Sequence, residues 1–294
     1  MANGVMDHQE YKKALRREAR CWRGVHWISK AWFSKHPDRL VRYQNELVTG
    51  DPDKPWFRLI ENSGRFRRAC SLGSGASLVE RELMRLGVVD TWDLYDISPV
   101  VLFRAKLGMG RYWRRVTTHV ADVNRVSLPP NAYDLILCNA CLHHFVELER
   151  VLDEIARALT DDGLLLVWEF VGENRLQWSE ARIASQQALL DEVPEESLVS
   201  PDARIQRPDV STLSPFEAVR SADIPALLKE RFRPEFWKTF CGAVVPLFFC
   251  VRVEDLERAR PDVLERIFQI DRELSESPSP HFVNPVLCAL LRRP

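Results

Sequence analysis

Between about residues 65 and 170 the chain alternates short apolar runs with segments whose apolar positions recur every three or four residues. Buried parallel strands linked by amphipathic helices produce that alternation, so repeated βαβ units are predicted. Ala69 to Leu72 reads as a short strand ending in a glycine-containing turn, and Ser77 to Leu86 as a helix with Gly87 at its stop. Leu94 and Tyr95 end a second strand at Asp96. Val116 to Val120 is a third, and Tyr133 to Cys138 a fourth, apolar enough to be covered on both faces. Leu148, Val151, Leu152, Ile155 and Leu159 form the buried stripe of a helix; Asp161-Asp162-Gly163 then turns the chain into a fifth strand, Leu164 to Phe170.

The flanks read differently. In residues 1–60, Leu15, Ala19 and Trp22 fall at i, i+4 and i+7, and Trp22, Trp27, Trp32, Phe33, Tyr43, Trp56 and Phe57 are interleaved with Arg and Lys. This predicts an N-terminal helical cap, joined through a turn-rich stretch at 49–55 to an α/β domain over 61–294. Residues 171–234 hold six prolines around a helix from Ser179 to about Leu190, which suits a lid better than sheet. Ala243 to Val251 and Phe282 to Leu291 predict two last strands, an edge hairpin-like pair separated by the charged helical stretch Glu254 to Glu273.

Composition narrows the picture. With 294 residues, 46% apolar and 28% charged, the chain can bury a sizeable core and is not disordered. Its 41 basic and 42 acidic residues leave a net charge of −1, so no global field draws in nucleic acid, and the basic clusters read as solvated faces. The longest apolar uncharged run, Thr239 to Val251, is short of the roughly 20 residues a bilayer-spanning helix needs, so no membrane association is expected. An N-terminus without an apolar core segment predicts no secretory signal and a cytoplasmic location. The seven cysteines are scattered; Cys138 and Cys141 have the spacing of half a metal site with His143 and His144 close behind, but buried thiols explain them and no metal is expected.

The chemistry concentrates at strand ends. Ser71-Leu72-Gly73-Ser74-Gly75-Ala76-Ser77 lies between a strand and a helix, where glycines let backbone approach a ligand. Asp96, about twenty residues on, can accept both ribose hydroxyls of an adenosine cofactor, and Asp122 the adenine amino group. No Gly-Lys-Ser/Thr follows the loop, which excludes a P-loop, but dinucleotides and S-adenosylmethionine both remain open. With Tyr95-Asp96-Ile97-Ser98, Ala121-Asp122-Val123, and Tyr133-Asp134 running through Asn139 to His144 before Asp162-Gly163, the segment from about Arg65 to Phe170 resembles the class I S-adenosylmethionine-dependent methyltransferases, in the set with a Leu-His-His-Phe segment.

The resemblance implies a Rossmann-like, seven-stranded sheet with a reversed last strand, and a cofactor across the ends of strands one, two and four, held by Ser71, Gly73, Ser74, Gly75, Asp96, Ile97, Asp122, Val123 and Asn139. The family usually has an acid where this chain has Ser71 and often glycine where it has Ser77, which leaves the contact to the cofactor's methionine end open to another residue or a water.

A sulfonium methyl is already electrophilic, so alignment and exclusion of water dominate, and His143 or His144 is the candidate base where the acceptor must lose a proton. Glu169 ends the fifth strand where the acceptor should lie. As read from the sequence, it holds a substrate ammonium, Arg175 clamps a carboxylate, and Gln177 and Trp178, with Trp56 or Trp27, complete the acceptor pocket. This points to a small polar metabolite, with an amino acid such as methionine, S-methylated, as the leading acceptor. The alternatives are O-methylation of a sugar or secondary metabolite and a non-catalytic cofactor-binding regulator. A nucleic-acid substrate is not expected, because the Asn-Pro-Pro-Tyr type motif of base-amino methylation is absent. Whether the cap covers its own site or a neighbour's in a homodimer stays open.

Overall fold

A computed structural model describes residues 7–23, 38–277 and 283–293; Trp27, Trp32, Phe33 and Phe282 lie outside them. Its centre is a seven-stranded sheet in the order β3-β2-β1-β4-β5-β7-β6, with β1 Phe66–Leu72, β2 Val89–Asp96, β3 Val116–Val120, β4 Tyr133–Asn139, β5 Leu159–Phe170, β6 Arg233–Phe240 and β7 Val286–Arg292. All neighbours run parallel except β7, which is antiparallel to both β5 and β6. The order reverses between β1 and β4, and at such a switch point the helices depart to opposite faces and leave a crevice at the strand carboxyl ends.

The described helices are α1 His8–Arg23, α2 Asp38–Thr49, α3 Leu78–Arg85, α4 Pro99–Gly108, α5 Leu148–Ala158, α6 Glu180–Leu190, α7 Ile224–Arg231, α8 Val253–Ala259 and α9 Pro261–Glu276. One face of the sheet is covered by α5 and α7, where Leu148, Val151, Leu152 and Ile155 are buried against Ile136, Cys138, Leu165 and Val167. On the other face Leu83, Met84, Leu102 and Ala105 of α3 and α4 meet Leu94, Leu135, Leu137 and Leu166. A third core lies beyond β5, where α2, α6, α8 and α9 close on Phe240, Val244, Leu247 and Phe248.

Two expectations are corrected at the C-terminal end. Ala243 to Val251 is not a strand but a buried run of turns with a short 3-10 segment, Leu247–Phe249. It is apolar because it fills the third core, and an apolar run alone does not tell strand from buried coil. The strand lies earlier, at β6, whose first residues fall in the proline-rich stretch read as lid; Pro234 is tolerated there because β6 is an edge strand with a register irregularity between Pro234 and Phe236. The pair is therefore not a hairpin at the edge: β7 lies inside the sheet. The charged helical stretch is likewise two helices, broken at Arg260 before Pro261.

Candidate active site

A cavity of about 450 Å³ opens at the carboxyl ends of β1, β2 and β4. Gly73, Ser74, Gly75, Asp96, Ile97, Asp122, Val123 and Asn139 all line it, as does Trp56. A second hollow of about 460 Å³ lies at the opposite end of the strands, between Ser63, Asp161, Asp162, Arg233 and Arg292.

The loop after β1 owes its shape to its small residues. Gly73 and Gly75 have φ of 56° and 51°, and Ser77 takes the same left-handed backbone at 52°. A Cβ on Gly73 would stand 2.7 Å from Cys141 Cβ, so this glycine makes room for the segment after β4 rather than for a ligand. Asp96 ties the loop down, accepting from Gly75 N at 3.1 Å and from Ser98 N at 2.8 Å, and burial raises its pKa. Asp122 accepts from Asn124 N and, at 2.8 Å, from the Tyr11 hydroxyl of α1, which docks the N-terminal helix on the cavity rim.

Ser71 is buried beneath the loop and donates to Glu80 Oε1 at 2.6 Å. Glu80, in the first turn of α3, lines the cavity, and burial pushes its pKa up to about 7.

The segment after β4 turns through Ala140, itself at positive φ, into a 3-10 turn, Leu142–His144. What holds that turn is Glu169. Its carboxylate accepts from Cys141 N at 2.9 Å, Leu142 N at 2.6 Å, Phe170 N at 2.7 Å and, in a shorter contact, His143 Nδ1. With four protein partners and 1% exposure, Glu169 is a brace and has no side-chain oxygen turned to the cavity. The reading of Glu169 as a catalytic or ammonium-binding group is corrected accordingly. Burial opposes charge on His143, but the carboxylates of Glu169, Glu217 and Glu18 outweigh it and raise its pKa.

His144 lines the cavity, with Glu18 Oε1 3.2 Å from its Nδ1 and the Trp22 ring edge-on at 4.9 Å. Glu18 also accepts from Trp22 Nε1, Ser214 Oγ and Phe216 N; desolvation opposes its charge, yet these partners and His144 hold its pKa below the usual range. His143, His144 and Glu217 bring one ligand-type atom each within 4.8 Å of one another, a grouping of the size that holds a metal ion and one that leaves Cys138 and Cys141 out.

The expected acceptor clamp is not assembled. Arg175 takes a left-handed backbone, φ 58°, and aims its guanidinium at the carbonyls of Ser214 and Glu217. Gln177 donates to the carbonyls of Arg175 and Pro208, and Trp178 is buried against Phe249. None of the three lines the cavity. The chain turns away after β5, and the cover over the cavity comes instead from Leu15, Glu18 and Trp22 of α1 and from Phe216. Residues 194–208, the middle of the expected lid, contribute nothing to its wall.

Strand order, reversed β7 and a cavity on the carboxyl side of the switch point define the class I S-adenosylmethionine-dependent methyltransferase architecture. Residues 70–167 match the methyltransferase domain family. The chain is 30% identical over 143 residues to a malonyl-[acyl-carrier protein] O-methyltransferase of Legionella pneumophila, covering 47% of this chain and 48% of that protein; the chain thus spans about half the length of this curated relative. Among solved structures, the MccD protein is similar at a TM-score of 0.51 and 15% identity, over 83% of this chain and 99% of that one. An S-adenosylmethionine-dependent methyltransferase from Mesorhizobium loti is similar at 0.49 and 17% identity, over 81% and 97%.

The cavity suits the cofactor of this class. Ile97 and Val123 offer apolar faces for a base, Asp96 and Asp122 offer acceptors, and Ser74 Oγ is buried with no hydrogen-bond partner among the described residues. Sequence reasoning missed Glu80, Glu18, Trp168 and Phe216 as lining residues.

Proposed function

We propose that the protein methylates a hydroxyl oxygen of a small, mainly apolar molecule. The observation that carries this reading is the make-up of the cavity wall. The rings of Trp22, Trp56, Trp168 and Phe216 line it, His144 and Glu18 stand among them, and its described lining includes no Lys or Arg. An acceptor carrying a carboxylate or phosphate would be desolvated there without a cation, at a cost of several kcal/mol. A neutral molecule with a hydroxyl loses little and gains contact with the aromatic rings. The same argument turns the reading away from methionine and other amino acids, because Glu169 and Arg175, the groups meant to hold their charged ends, are committed elsewhere.

S-Adenosylmethionine supplies a methyl group already bound to a positive sulfur. The chain's task is then to align the acceptor oxygen and to take its proton. His144 is the group placed for the proton, with the Glu18 carboxylate beside it to favour the imidazolium that forms. Both its ring nitrogens are covered in this conformation, Trp22 packing edge-on against the ring, so α1 must yield for an acceptor to reach them.

The test is transfer of labelled methyl from S-adenosylmethionine over a panel of neutral hydroxylated compounds, sugars, carboxylic acids and amino acids including methionine. Turnover is expected on a neutral hydroxyl compound, with His144→Ala lowering kcat about 10²- to 10⁴-fold while S-adenosylhomocysteine binding persists. Turnover on methionine alone would overturn the reading.

A further inference from the structure

Glu80 is a buried carboxylate that no step above uses. It is 2% exposed, contributes to the cavity wall, and receives one side-chain hydrogen bond, from Ser71 Oγ at 2.6 Å. Its place three residues after Ser77 is where a glutamate closes a reciprocal helix cap, but that cap is not formed. Ser77 sits in the left-handed region, its hydroxyl donates to Ser74 O, and no side chain caps α3. Glu80 is turned instead under the loop between β1 and α3. Among the described residues no Lys, Arg or His acts on it.

A carboxylate this deep, supported by one hydroxyl, is stable as an anion only beside a positive charge. Its position in the wall of a cavity that Ser74 also lines, with an Oγ that has no hydrogen-bond partner among the described residues, means that the charge can arrive with a ligand. We propose that Glu80 and Ser71 form an ammonium-binding subsite in the cofactor cavity, and that it takes the α-ammonium of the methionyl arm of S-adenosylmethionine. The inference rests on the cavity being the cofactor's. An ammonium brings three donors and suits one carboxylate oxygen with a neighbouring hydroxyl, whereas a metal ion would call for further ligands. It also explains how Ser71 can stand at the end of β1: the negative charge comes from the adjoining helix and hydrogen-bonds to that serine.

The experiment is a calorimetric cycle that needs no acceptor. S-Adenosylhomocysteine and its desamino analogue, which keeps the carboxylate and lacks the amino group, are titrated into wild type and Glu80→Gln. Wild type should bind the desamino compound about 10- to 100-fold more weakly, and Glu80→Gln should weaken S-adenosylhomocysteine by a similar factor while leaving the desamino compound within about threefold. Relocating the acid with Ser71→Asp and Glu80→Ser together should restore most of the S-adenosylhomocysteine affinity. Equal weakening of both ligands by Glu80→Gln, or of neither, overturns the subsite. Wild type that binds neither ligand overturns the cofactor reading itself, a separate result.

Discussion

Glu169, near the end of β5, and Glu80, in the first turn of α3, are both almost fully buried, and they are satisfied in opposite ways. Glu169 gathers two amides after β4, its neighbour's amide and an imidazole nitrogen, so its charge is spent inside the protein. Glu80 has one hydroxyl, and burial leaves its pKa near 7. The difference teaches that depth and residue type do not mark a ligand-binding acid. What marks it is a deficit of protein partners at a place a ligand can reach.

The sharpest way to break the comparison is to remove the brace. Glu169→Ala strands two buried amides and the His143 ring, so a loss of about 3–5 kcal/mol in unfolding free energy is expected, read by urea denaturation. A variant of wild-type stability that fails only in turnover would make Glu169 a substrate-contacting group and erase the contrast.

A smaller effect is expected at Glu80, and it depends on pH. Its folded pKa of about 7 lies above the ordinary 4.5, so between those values the folded state holds a proton that the unfolded chain has released. Stability must then fall as pH rises through that window, by up to about 3 kcal/mol in total, and change no further above it. Asp96 and Asp271 are raised by burial as well and add slope of the same sign. Comparing wild type with Glu80→Gln isolates the Glu80 share: the variant should be the flatter of the two between pH 4.5 and 7. Parallel curves would mean that Glu80 stays ionised when folded and already has its counter-charge.

The legibility of the molecule in its sequence divides along the same line between local and distant satisfaction. Strands β4 and β5 are readable because strands covered on both faces leave nearly unbroken apolar runs. Edge strand β6 is not, with its exposed face and Pro234, while the buried coil at 243–251 imitates a strand. Gly73, Asp96, Asp122 and Asn139 are legible since a strand's carboxyl end places them in the crevice whatever else the chain does. Arg175 and Gln177 mislead because a left-handed turn after β5, visible only in three dimensions, carries them off. Glu18 takes its role from Ser214 and Phe216, nearly two hundred residues away. Glu80 had a local signal, the absence of the usual acid at Ser71, but which residue compensates is a matter of packing.

The smallest expected effect concerns what covers the site. Proline content points to residues 171–234, of which Phe216 lines the cavity, yet more of the cover comes from α1, fastened by Tyr11 to Asp122, by Glu18 to the 214–216 segment and by Arg17 to the carbonyls of Ser211 and Leu213. Tyr11→Phe deletes one hydrogen bond to a carboxylate at the cavity rim, worth about 1–2 kcal/mol, and should loosen α1 without unfolding the sheet. Limited proteolysis should then cut α1 about tenfold faster than in wild type, with S-adenosylhomocysteine slowing the cut by joining Asp122 and the helix to one ligand. Residues 194–208, whose Ala203 and Ile205 belong to the third core, should be cut at the same rate with and without ligand. Ligand protection at 194–208 rather than at α1 would return the covering role to the proline-rich segment. Protection at α1 makes access to His144 a question of how the N-terminal helix moves.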